Sequence, residues 1–63
     1  NIYRPDRVVL GDGKVLIIDY KFGEQDSRYI RQVRRYADIW RRMGYEKVYS
    51  FLWYVQTGDI VQA

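Results

Sequence analysis

A chain of 63 residues holds at most one small domain. At this length folding buries only about 60% of the surface that the unfolded chain exposes, so stability is expected to be marginal. The absence of cysteine and histidine excludes a disulfide staple and a Cys/His zinc site as reinforcement. Hydrophobic residues at 48% and aromatics at 17% exclude a disordered tail, and a net charge of +3 permits a nucleic-acid partner without arguing for one.

In chain order, the segments from about Ile2 to Leu10 and from about Lys14 to Lys21 are apolar and β-branched, and Gly11-Asp12-Gly13 separates them. Asp-Gly between two such runs predicts an antiparallel hairpin, because a type I′ turn needs positive φ at both central residues. With Asp12 and Gly13 as the turn, Gly11 faces Lys14, Leu10 faces Val15, Val8 faces Ile17 and Asp6 faces Asp19.

From about Ser27 to Met43 the spacing is helical. Tyr29, Val33, Tyr36, Trp40 and Met43 form one stripe, flanked by Ile30 and Ala37. Asp26 or Ser27 is the expected N-cap and Gly44 the residue just past the end. Six of the eleven basic residues are arginines between Arg28 and Arg42, mostly off this stripe, which makes the helix locally very basic.

Lys47 to Val55 predicts a strand with apolar or aromatic residues on both faces, which suits an interior position covered on both sides. Gln56 to Asp59 reads as a turn and Ile60 to Ala63 as the start of a further strand. The expected fold is α/β, with a mixed β-sheet in which a hairpin is followed by a right-handed β-α-β crossover. In that arrangement the first turns of the helix return near the end of the second strand, so Asp19, Lys21 and Gln32 are expected to be neighbours.

Period-two alternation places Asp6, Asp19 and Lys21 on one face of the hairpin. Two carboxylates directly opposite one another repel. Lys21 is one group able to offset that, and a divalent cation is the better one, since hard cations such as magnesium take oxygen ligands. The plainer reading is that the aspartates are solvated charges blunting an exposed strand. The position of Asp19 at the end of Val15-Leu16-Ile17-Ile18, facing an earlier aspartate, favours the functional reading. A register shift of one residue would separate the two carboxylates and dissolve the site.

Pro5-Asp6, then Asp19-Tyr20-Lys21 ending an apolar strand, then Gln32-Val33-Arg34-Arg35-Tyr36 on the next helix resemble the successive motifs of the PD-(D/E)xK nuclease superfamily. With Gly23 after the Asp-Tyr-Lys, and with the Gln-x-x-x-Tyr helix, the chain is most similar to the RecB-like exonuclease branch. The likeness runs from Pro5 to Phe51-Leu52-Trp53-Tyr54, and it lies in the order and spacing of the motifs together.

That resemblance implies a partial restriction-endonuclease-like core over residues 1–63, hydrolysing phosphodiester bonds in DNA repair or recombination. Asp6 and Asp19 would be metal ligands, with the main-chain carbonyl of Tyr20 as a third oxygen and Mg2+ or Mn2+ as the cofactor. Lys21 would position the attacking water and stabilise charge on the phosphate, so Asp6, Asp19 and Lys21 are the expected catalytic residues. Gln32 and Tyr36 would lie by the active site, touching DNA or ordering the metal-binding strand, unless Tyr36 is only a core aromatic of the stripe. The helix arginines, Arg28 and Arg35 among them, would track phosphates, unless they form only a solvated helix face. Glu24 is read as a loop residue favouring the helix N-terminus.

The implied partners are DNA and a helicase domain or subunit of a parent protein, with no membrane. The sequence begins at Asn1 and enters a strand-like stretch almost at once, so an excerpt of a longer cytoplasmic protein is expected. The family's first helix and strand, and its upstream acid or histidine, have no counterpart here. The chain alone is therefore expected to bind metal weakly, to cleave little and to associate with copies of itself. A catalytically inactive module that binds single-stranded DNA or scaffolds a helicase-nuclease partner is the alternative.

Overall fold

The structure, a computed structural model, describes residues 3–63. It begins with a hairpin of β1 (Arg7–Gly11) and β2 (Lys14–Lys21), antiparallel and in the predicted register. The turn has φ 52° at Asp12 and 74° at Gly13, the left-handed pair that a type I′ turn demands. Ile2, where the first strand was expected to begin, lies outside the described residues, and the strand itself starts only at Arg7. Pro5 has no N–H to offer a ladder, and the amide of Asp6 goes to a side chain instead.

Helix α1 (Ser27–Arg42) follows, capped by Asp26, whose Oδ1 accepts from the Arg28 amide at 2.8 Å. The Arg28 guanidinium folds back onto the same carboxylate at 2.7 Å. This side-chain contact, then the amide bond, hold the Asp26 carboxyl at about 2 against an ordinary 3.8. The contribution of the cap is therefore complete above the unfolded value and is lost as the pH falls towards 2. Below pH 4 the thermal midpoint of the native chain is expected to fall more steeply than that of Asp26→Asn, which keeps an acceptor but no charge. Equal slopes would contradict this.

The helix closes through Gly44, at φ 106°, whose amide donates to the Arg41 carbonyl at 3.0 Å. Arg41 also reaches Asp38 at 2.8 Å and the Val48 carbonyl at 2.9 Å, fastening the end of the helix to the strand that follows. Met43 departs from expectation. Met43 is the C-cap, its amide still bonded to the Ile39 and Trp40 carbonyls, but its side chain is 58% exposed, and the apolar stripe packed on the core ends at Trp40.

Strand β3 (Lys47–Tyr54) runs parallel to β2, and β4 (Asp59–Gln62) returns antiparallel to β3, giving the order β1-β2-β3-β4. The fold is thus α/β with a mixed sheet, as expected. Its core lies between helix and sheet: Val15 and Ile17 from β2, Val48, Leu52 and Tyr54 from β3, and Val33 and Ala37 from α1. One expectation for β3 fails. The strand is interior to the sheet, but a single helix covers a single face, so Tyr49 and Trp53 on the other side remain exposed. Among the described residues no helix is long and apolar enough to cross a membrane.

Candidate functional site

The β1–β2 ladder ends at Arg7 opposite Ile18, and the next pair outward is Asp6 and Asp19. Instead of continuing the ladder, this pair exchanges main-chain donors for side-chain acceptors. The Asp6 amide donates to Asp19 Oδ1 at 3.3 Å, and the Tyr20 amide donates to Asp6 Oδ2 at 2.8 Å. The reciprocal bonds hold the two carboxyl groups together at the corner of the sheet.

Asp19 continues the inward alternation of Val15 and Ile17, which carries it beneath α1, where it is only 4% exposed. A carboxylate so far from water needs several partners. Besides the Asp6 amide it has two, both on Oδ2: the Lys21 ammonium at 3.1 Å and the Tyr3 hydroxyl, which donates at 2.8 Å. Lys21 Nζ also lies 4.3 Å from the centroid of the Tyr29 ring, a cation–π contact that fixes the ammonium from the helix side. Tyr3 in turn sets its ring edge-on to Tyr36, with centroids 5.9 Å apart.

The carboxyl pair has divided its acidity. Burial pushes Asp19 up, but its bonds with Asp6, Tyr3 and Lys21 outweigh that and leave it below the ordinary range. Asp6 is held above that range, first by its hydrogen bond with Asp19, with the Tyr20 amide opposing. The pair therefore retains one proton to higher pH than an isolated carboxyl would, and the exposed member carries it. Burial, then the bond to Asp19, raises the Tyr3 hydroxyl far above the usual phenol range, so it remains a donor.

The structure brings Asp6, Asp19 and Lys21 together at the end of the hairpin. Tyr20 meets them through its main-chain N–H, while its ring turns to the opposite face of the sheet against Trp53, 5.7 Å away. Tyr36 reaches the site through Tyr3, and Gln32 is exposed on the same side of the helix. Arg35 is exposed as well, whereas the guanidinium of Arg28 is engaged by Asp26.

Two members of the cluster were not foreseen. Tyr29 belongs to the apolar stripe by spacing, and its place in the first turn of a helix returning over β2 is the signal that points it at Lys21. Tyr3 falls in the stretch expected as the start of the first strand, but the strand begins only at Arg7, and no local pattern shows its hydroxyl reaching Asp19.

Two carboxyl groups held side by side are a pair of hard-oxygen donors, so the donor set suits magnesium or manganese. It is a partial set. Among the described residues no group of three or more acidic, histidine or cysteine side chains comes together to hold a metal. No family model matches the chain, and neither characterised proteins nor solved structures yield a significant match.

Proposed function

We propose that this chain is the catalytic part of a divalent-cation-dependent deoxyribonuclease, similar to the RecB-like branch of the PD-(D/E)xK superfamily and built on part of a restriction-endonuclease-like core. The observation that carries the reading is the pairing of Asp6 with a buried Asp19 whose Oδ2 also holds the Lys21 ammonium at 3.1 Å. Solvated charges blunting a strand edge would have no need of burial, and Asp19 is buried.

In this reading Asp6 and Asp19, with the carbonyl of Tyr20, hold Mg2+ or Mn2+. The cation supplies the positive charge that acidifies water and neutralises a phosphoryl group. Lys21, steadied by Asp19 and the Tyr29 ring, offers a fixed ammonium where negative charge grows on the phosphate. Tyr3 keeps the Asp19 carboxylate from rotating. Gln32, Tyr36, Arg28 and Arg35 border the path of the DNA, with Arg28 leaving Asp26 to meet a phosphate. A cytoplasmic repair or recombination protein with a helicase domain or subunit is the setting that the resemblance implies.

The function test is Mg2+- or Mn2+-dependent degradation of linear DNA by the longer protein that the resemblance implies, stopped by chelator and abolished by Lys21→Ala. DNA binding without cleavage, indifferent to chelator and to Asp6→Asn, would favour the second reading, a non-catalytic DNA-binding module. That no third acidic side chain joins the pair among the described residues is the observation on its side.

Cation binding should also report the shared proton. Since Asp6 is held above the ordinary carboxyl range, protons compete with the cation there, and apparent Mn2+ affinity should already be falling as the pH drops towards and into that range. A pH-independent affinity over that range would contradict the shared-proton account.

A further inference from the structure

The face of the sheet turned away from α1 is apolar along its middle and uncovered. Val9, Tyr49, Trp53 and Ile60 are exposed there, with Ile60 at 58%. A parallel strand pair such as β2–β3 ordinarily has both faces buried. The total accessible surface makes the same point: it is 4832 Å² for 7.7 kDa, where a folded monomer of that mass exposes roughly 4,300 Å².

The face is unevenly charged along the strands, with Arg7, on the edge strand opposite Ile18, as the one basic strand residue away from the lysine end. At one end Lys14 and Lys47 stand side by side in register, both exposed, and neither belongs to an ion pair among the described residues. At the other end the paired residues are Tyr20 and Trp53, whose rings touch. None of the strand residues on this face is acidic.

We propose that this face is a homodimer interface, closed by a second copy of the chain about a two-fold axis lying between the sheets and perpendicular to the strands. That operation lays the lysine end of one sheet over the aromatic end of its partner. Two like charges thereby gain cation–π partners, and the apolar middles meet. The two longer extents of the molecule, 34 and 25 Å, bound a broad face of at most roughly 850 Å², large enough for an interface at or below the ~800 Å² per partner of the standard size. Twisted sheets packed in this way form one closed pair, which leaves no further copy of the face exposed. The dimer does not depend on the nuclease reading, because the carboxyl pair and Lys21 lie on the helix side of the sheet.

The test is sedimentation equilibrium of the chain from low micromolar to several hundred micromolar, without metal. The expected result is a reversible monomer–dimer equilibrium whose limiting mass is twice 7.7 kDa. Ile60→Lys and Trp53→Ser, shown to be folded by circular dichroism, should each weaken it at least tenfold. Ile39→Lys, on the outer side of the helix, should leave it unchanged. A mass that stays monomeric throughout, or one that climbs past the dimer without limit, would overturn the proposal. So would saturable quenching of Trp53 by an oligothymidylate in a monomeric Trp40→Phe background, which would reassign the face to single-stranded nucleic acid.

Discussion

Asp19→Ala is expected to remove a third or more of the stability of the chain. Asp19 is buried and is the common acceptor for the Tyr3 hydroxyl, the Asp6 amide and the Lys21 ammonium. Removing one member of a buried pair costs about 3–5 kcal/mol because the remaining charge loses its partner. The Lys21 side chain is 20% exposed and can reach water, which places the cost at about 3 kcal/mol, the lower end of that range. At ~0.05–0.15 kcal/mol per residue, a chain this short has only about 3–9 kcal/mol in total. Urea titration followed by circular dichroism should show the midpoint lowered by at least about a third. A variant as stable as the native chain would mean that Asp19 does not organise the corner of the sheet.

Asp6→Asn should have the opposite profile, with the fold retained and the chemistry removed. Asp6 is exposed, and asparagine keeps a carbonyl oxygen able to accept from the Tyr20 amide. The change in stability should therefore lie within about 1 kcal/mol. The variant nevertheless removes one of only two carboxylates in the cluster. Loss of groups that merely support metal ligands already costs about 10–100-fold, so loss of a ligand should lower Mn2+ affinity and Mg2+-dependent DNA hydrolysis by about 100-fold or more. Hydrolysis at the native rate by a folded Asp6→Asn chain would remove this residue from the mechanism. Together the two aspartates separate the structural role from the chemical one, which a single substitution at Asp19 cannot do.

Much of the corner was legible because strand geometry is strict. Asp12-Gly13 fixes the turn, the turn fixes the register, and alternation then brings Asp6, Asp19 and Lys21 to one face. The parallel placement of β3 followed from the crossover helix in the same way. Side chains that meet across elements were much less legible. Tyr3 reaches Asp19 from an irregular segment, and Tyr29 touches Lys21 only because of how the helix docks, so neither pairing leaves a mark in local sequence. Arg28 looked free to bind phosphate, yet it is the partner of the N-cap two residues earlier. For β3, apolar residues on both faces predicted two covering layers, whereas the chain's one helix supplies one.

Titrating the isotope-labelled chain with Mn2+ and following its amide resonances tests the carboxyl pair most directly. Paramagnetic broadening should begin at Asp6, Asp19, Tyr20 and Lys21, saturate with a single affinity and vanish in Asp6→Asn. Broadening that first strikes Asp38, Glu46 or Asp59, or that spreads evenly along the chain, would show that the two carboxyl groups do not seat a cation.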